Sequence, residues 1–218
     1  MTPAFAGRTG RWSAALLLVL LAGCTSFVNR PERPALFDMG TLPPLTQPVE
    51  RPGPRFALVV PEIEAAGALE GSSVLYRLGY ADDYQLRAYS QSRWSAPPPQ
   101  LVRQRLRQQL GRERTVLNLD ETASMARESN QPLYILRMEL EEFAHVFDSP
   151  QRSRGVIRLR ATLLASTPGG ERLLDQRSIA VQGVAPTPDA SGGVRALTEA
   201  TDAAAADISQ WLQQARQP

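Results

Sequence analysis

The chain has 218 residues, 43% of them hydrophobic, with 24 basic residues against 22 acidic ones and a formal net charge of +2. That length suits one globular domain with its own core. Every basic residue is an arginine, which excludes P-loop lysine, Schiff-base and serine–lysine chemistry, and the single cysteine, Cys24, excludes a disulfide framework and a cysteine metal site.

At the N-terminus Arg8 and Arg11 precede an apolar run, Trp12 to Ala22, about half the ~20 residues a helix needs to span a bilayer and typical of a signal peptide. The run ends in Leu21-Ala22-Gly23-Cys24, which resembles the lipobox of bacterial lipoproteins, where the cysteine thiol receives a diacylglycerol before cleavage in front of it. The plain alternative is an ordinary signal that happens to contain a cysteine. Three features favour the lipobox: small residues at Ala22 and Gly23, a cysteine with no other in the chain, and the polar, proline-rich stretch behind it. The expectation is a signal peptide over 1–23, covalent lipid on Cys24 and no other cofactor. Stable anchoring takes at least two acyl chains, so the multiply acylated cysteine holds the protein on a membrane. Thr25 stands where an aspartate is associated with inner-membrane retention, which points to the outer membrane with the domain facing the periplasm. Losing residues 1–23 removes Arg8 and Arg11 and no acids, leaving 22 basic residues against 22 acidic ones and no electrostatic case for nucleic acid as a partner.

Residues 24–54 hold Pro31, Pro34, Pro43, Pro44, Pro48, Pro52 and Pro54 and read as the lipidated cysteine and its tether. The domain is placed at 55–216, with 35 as an alternative start because Ala35 to Met39 interrupts the tether composition as a short strand. Arg55 to Glu64 reads as a strand buried on both faces. Val74 to Leu78 and Tyr84 to Tyr89 form a hairpin around Gly79 to Asp83. The prolines Pro97 to Pro99 open a helix with Val102, Leu106 and Leu110 on one face, opposite Arg103, Arg105 and Arg107, and Gly111 ends it. Thr115 to Leu119 is a short strand; Asp120 to Asn130 is polar, with one or two helical turns at most.

From Leu133 to Val184 the alternation predicts three antiparallel strands. Tyr134, Leu136, Met138 and Leu140 face one way, the phase then moves to Phe143 and Phe147, and that step predicts a bulge near Glu142. Ile157, Leu159, Ala161, Leu163 and Ala165 face the core from the next strand, and Thr167-Pro168-Gly169-Gly170 turns into a third through Ile179 and Val181. Glu139 and Glu141 are expected opposite Arg158 and Arg160 as cross-strand ion pairs worth some tenths of a kcal/mol each. Val194, Leu197, Thr201, Ala204, Ile208, Trp211 and Ala215 form one stripe of a long final helix. The alanines from Ala203 to Ala206 favour packing on a sheet over a coiled coil. The expected fold is a single α/β domain, a mixed, mostly antiparallel sheet packed by two amphipathic helices.

Chemistry is sparse. The one histidine, His145, lies between Phe143 and Phe147 and reads as a partly buried or rim imidazole rather than a base or ligand. Glu139, Glu141 and Glu142 are explained by ion pairing, and Asp82-Asp83 is a turn signal before it is a metal site. No nucleophile elbow, phosphate loop or zinc-protease helix occurs, so neither a metal nor an enzymatic activity is expected.

Taken together, these pieces resemble the auxiliary lipoproteins of ABC-type transport, the PqiC-like family. The resemblance spans about Leu36 to Trp211: the lipobox, the opening Leu36-Phe37-Asp38-Met39, the strand ending Val60-Pro61, Leu75-Tyr76-Arg77, Arg93-Trp94 before proline and a helix ending in Leu110, the pattern through Leu133 to Phe143, the arginine-rich strand and the last helix. The family implies a non-enzymatic protein that works beside an inner-membrane ABC ATPase, a permease and an MCE-domain periplasmic protein in lipid movement between membranes. On that model it docks the MCE assembly to the outer membrane. Arg77, Arg93 and Trp94 sit on the more recognisable positions and are the candidate partner-binding residues, with a packing role weighed above a hot spot for Trp94. Homo-oligomerisation is left open. Two other classes remain: an activator or assembly factor for a cell-wall synthase or outer-membrane machine, and a solute-binding lipoprotein with a lipid cavity between sheet and helix.

Overall fold

The computed structural model describes residues 33–42, 57–65, 67–117, 133–167 and 169–215. Residues Pro34–Pro218 form one compact unit. Its strands are β1 (Ala35–Phe37), β2 (Leu58–Val59), β3 (Glu64–Ala65), β4 (Ser73–Leu78), β5 (Leu86–Trp94), β6 (Val116–Leu117), β7 (Leu133–Ser149), β8 (Arg152–Thr167) and β9 (Gly170–Val184), with a 3-10 turn at Gly67–Glu70. The helices are α1 (Pro98–Leu110) and α2 (Ala190–Gln214).

β7 is the axis of the sheet. One edge pairs antiparallel with β8 along its length, and β8 pairs antiparallel with β9. Three short strands share the other edge, all parallel to it: β2 at Tyr134 and Ile135, β3 at Glu139 and Leu140, and β4 from His145 to Phe147. β6 then pairs with β2, β5 with β4 and β1 with β5. The sheet is mixed as expected: its parallel pairings outnumber the antiparallel ones but are two or three residues long, whereas the antiparallel pairings of β7, β8 and β9 are long.

The predicted bulge is present, for the register shifts between Leu140 and Glu142. It moves the core face from Tyr134, Leu136, Met138 and Leu140 onto Phe143, all buried, because an extra residue in a strand reverses which side its successors face. The anticipated ion pairs form in part. Arg160 bridges Glu139 at 3.2 Å and also bonds Glu141, but Arg158 reaches Glu142 at 3.2 Å instead. The bulge places Glu142 rather than Glu141 opposite Arg158.

Both helices lie on the core face. The α2 stripe is as predicted, with Val194, Leu197, Thr201, Ala204, Ile208 and Trp211 all buried. The helix begins earlier than its apolar stripe, because Asp189 caps it by accepting a 2.7 Å bond from the Gly192 amide. Glycines let α2 come very close to the sheet. A β-carbon on Gly155 of β8 would lie 2.5 Å from the Leu197 nitrogen, and one on Gly183 of β9 would lie 2.6 Å from the Ala196 oxygen.

Two expectations are corrected. The strand foreseen over Arg55 to Glu64 is broken: β2 and β3 flank Val60 to Ile63, because Pro61 has no amide for a ladder. Arg103 of α1 takes up the Val60 and Pro61 carbonyls at 3.2 and 2.9 Å. Nor does Arg105 line a wetted face. It is 4% exposed and forms a two-pronged bond to Asp202 of α2, at 2.6 Å on each arm, while donating to the Gly40 carbonyl at 3.2 Å. The second helix covers what the helical wheel of the first assigns to solvent. Asp120 to Asn130 lies outside the described residues.

Candidate interaction site on the β4–β5 hairpin

The three sequence candidates within the described residues fall on one hairpin, but at different places on it. Arg77 of β4 stands beside Leu86 at the turn end. Its guanidinium donates to the Asp83 carbonyl and lies 4.0 Å from that residue's carboxylate, so it braces the turn. Arg93 pairs with Ser73 at the other end. It folds back on its own strand, donating to the carbonyls of Tyr89 and Ser92 at 2.6 and 2.8 Å. These bonds cover the irregular stretch where the β4–β5 register shifts between Ser73 and Leu75. Trp94 is 1% exposed and packs on Phe143 at a ring separation of 5.6 Å. It offers core packing rather than surface to a partner. Leu21, Ala22, Gly23 and Cys24 lie outside the described residues.

The irregular part of β5 swings Tyr89 toward the core, where sequence periodicity gives no hint of a contact. Its hydroxyl lies 2.9 Å from Nδ1 of His145, a hydrogen bond whose direction depends on the histidine tautomer. Tyr76 and Phe147 complete an aromatic cluster, with Tyr76 4.5 Å from Tyr89 and Phe147 4.5 Å from His145 between ring centres. The imidazole is wholly buried, not at a rim as expected, because the start of α2 closes over it: a β-carbon on Gly193 would sit 2.4 Å from Nδ1. Its Nε2 has no hydrogen-bond partner among the described residues.

Electrostatics follow from this burial. Loss of water pulls the His145 pKa down to about 4, only partly opposed by the Asp189 carboxylate, so the ring is neutral near pH 7. Burial first, then the Tyr76 and Asp189 charges, push the Tyr89 hydroxyl well above its ordinary value. Asp189 is held below the usual range by the Gly192 amide first of all, with Thr187 and Arg195 assisting. A neutral imidazole without access to solvent has no way to exchange protons with a bound substrate. Among the described residues no group of three or more histidine, cysteine or acidic side chains is placed to hold a metal.

The exposed part of the hairpin is its tip. Leu78 accepts from the amides of Ala81 and Asp82 at 2.9 and 2.8 Å, and the Asp82 carboxylate accepts from the Tyr84 amide at 2.9 Å, so the turn is well ordered. It presents Tyr80 at 48% exposure, Tyr84 at 98% and Leu86 at 39%. Sequence reasoning passed over these side chains, since Tyr80 counts there only as part of the turn and Tyr84 and Leu86 as strand residues.

The fold has solved relatives. Protein XCC0632 from Xanthomonas campestris, of family DUF330, superposes with a TM-score of 0.65 at 17% identity, over 83% of this chain and 97% of that one. A second crystal structure, of an uncharacterized protein, gives 0.57 at 16% identity over 83% and 99%. PelC from Paraburkholderia phytofirmans, crystallised as a dodecamer, is more distant at 0.41 and 14% identity, over 74% and 89%. At these identities the likeness is one of fold. No curated protein matches in sequence. Among the described residues no helix is long and apolar enough to cross a membrane. The family model for the ABC-type transport auxiliary lipoprotein component matches residues 38–209, from just past β1 to the last turns of α2, and the chain belongs to that family.

Proposed function

We propose that this protein is a non-enzymatic periplasmic auxiliary of an MCE-type ABC transport system. It is anchored in the outer membrane by acylated Cys24 and docks the MCE assembly there while the distant ATPase supplies the energy for lipid movement. The family match over residues 38–209 carries this reading. The buried, neutral His145 adds to it, since the chain's one histidine is locked into packing. The tight seating of α2 on Gly155 and Gly183 also argues against a lipid cavity between sheet and helix at that end, because a single added methyl group has no room there.

The test is affinity capture of the lipoprotein from gently solubilised, cross-linked envelopes, with co-purifying proteins identified by mass spectrometry. Recovery of an MCE-domain protein with its ATPase and permease is the expected result. A penicillin-binding protein or β-barrel assembly component in their place would overturn it in favour of an activator or assembly factor.

A further inference from the structure

The topology gathers several exposed apolar side chains at one end of the sheet. β4 and β7 run parallel, with Leu78 beside Phe147, so the β4–β5 turn and the β7–β8 turn emerge at the same end. β9 finishes there too, since Val184 pairs with Arg154 near the start of β8. Of the six large apolar side chains left exposed among the described residues, four lie at this end: Tyr80, Tyr84, Leu86 and Val184.

The chain also enters the domain from that direction. β5 starts at Leu86, beside the tip, and runs away from it; β1 is parallel to β5, with Ala35 beside Ser92, so the backbone comes into β1 from the tip side. Eleven residue steps separate Cys24 from Ala35, a reach of at most about 36–40 Å when fully extended. A lipid on Cys24 therefore keeps Ala35 within that distance of the bilayer, and Ala35 lies beside Ser92, six residues or about 20 Å along β5 from Leu86, so the tether is long enough for the tip to reach the membrane surface.

We infer that this end, with Tyr80, Tyr84 and Leu86 foremost, rests in the headgroup region of the bilayer that holds the Cys24 lipid; the inference relies on the lipid-anchor reading above. Tyrosine suits such a position, because its ring enters the apolar boundary while its hydroxyl stays among polar headgroups. The charges at this end are mixed and partly paired within the protein, Arg77 with Asp83 and Arg154 with Asp148. The contact is thus apolar and interfacial and does not depend on anionic lipid. Two tyrosines and a leucine make a weak membrane site on their own, but the tether supplies a high local concentration, so the tip sets orientation while the acyl chains supply retention.

The lone cysteine makes the test clean, since acylation of Cys24 leaves any introduced cysteine as the sole free thiol. The mature, lipidated chain carrying Tyr84→Cys, or Leu173→Cys as a control at the opposite end, is labelled with an environment-sensitive fluorophore. Both are reconstituted in vesicles of phosphatidylethanolamine and phosphatidylglycerol, with and without spin-labelled lipid. Quenching by spin-labelled lipid is expected to be several-fold stronger at position 84 than at 173, and unchanged when the phosphatidylglycerol fraction is halved. Equal quenching at the two positions, or stronger quenching at 173, in chains that float with the vesicles would overturn the inference and leave the anchor standing. Chains that fail to float would remove the anchor and this orientation with it.

Discussion

His145 makes stability depend on pH in a particular window. Its pKa is near 6.5 in an unfolded chain and about 4 in the folded one, so between those values the unfolded state binds the extra proton. The contribution of the neutral ring is complete above pH 6.5 and disappears as pH falls toward 4, a loss of about 3 kcal/mol at most. Asp202 follows lower down. Burial pushes its carboxyl up, but the bonds from Arg105 and Gln109 and the charges of Arg105 and Arg112 outweigh that and leave it below the usual carboxylate range. Its contribution is present above that range and is lost as pH drops through its folded value. Urea denaturation of His145→Gln at pH 7 and pH 4.5 should show a smaller difference in stability than the parent, because glutamine does not titrate; an undiminished difference would assign the sensitivity to other groups. The role of His145 is only half legible in the sequence. The flanking Phe143 and Phe147 point to an apolar setting, but its burial depends on Gly193 of a helix far along the chain, a contact between distant segments that no local pattern records.

At the scale of elements, what periodicity encodes is what the sequence discloses. The α2 stripe, the alternation of β7 and the bulge before Glu142 are all readable, because each is a repeat of burial within one segment. Arg105 is misread for the same reason: a helical wheel reports which side of α1 is apolar and says nothing of α2 arriving with Asp202. The approach of α2 to the sheet depends on Gly155 and Gly183, whose absent side chains leave no periodic mark. Gly155→Ala should therefore cost about 3 kcal/mol in chemical denaturation, since its β-carbon would meet the helix backbone, which cannot rotate aside. Gly71→Ala, with nothing nearer than 4.0 Å, should stay within about 0.5 kcal/mol of the parent. Similar costs for both would mean that the helix shifts freely over the sheet.

For the molecule as a whole, the feature most legible in the sequence lies outside the described residues. The Leu21-Ala22-Gly23-Cys24 box makes a direct prediction: Cys24→Ala should abolish acylation, followed by labelled palmitate, and release the protein from membrane fractions. A variant that stays membrane-bound after salt and carbonate washes would show that something other than the lipid holds it. The membrane-facing end inferred above is far less legible than the anchor, because it is made of side chains that the fold brings together from separate hairpins, as with Tyr84 and Val184.

The arrangement of strands around β7 also governs the order in which the chain can become structured. β2, β3 and β4 precede β7 by long stretches of chain, yet each has its ladder partner there: Leu58 with Tyr134, Glu64 with Glu139, Tyr76 with His145. An emerging chain that has not reached β7 can close the β4–β5 hairpin and the short β1–β5 and β2–β6 pairings but none of the pairings to β7, and pairings this distant form slowly. A chain that must cross a membrane unfolded gains from such a delay. The strand that joins the two sides of the sheet is thus also the one whose late arrival leaves the earlier strands unpaired with it while the first half of the polypeptide passes through.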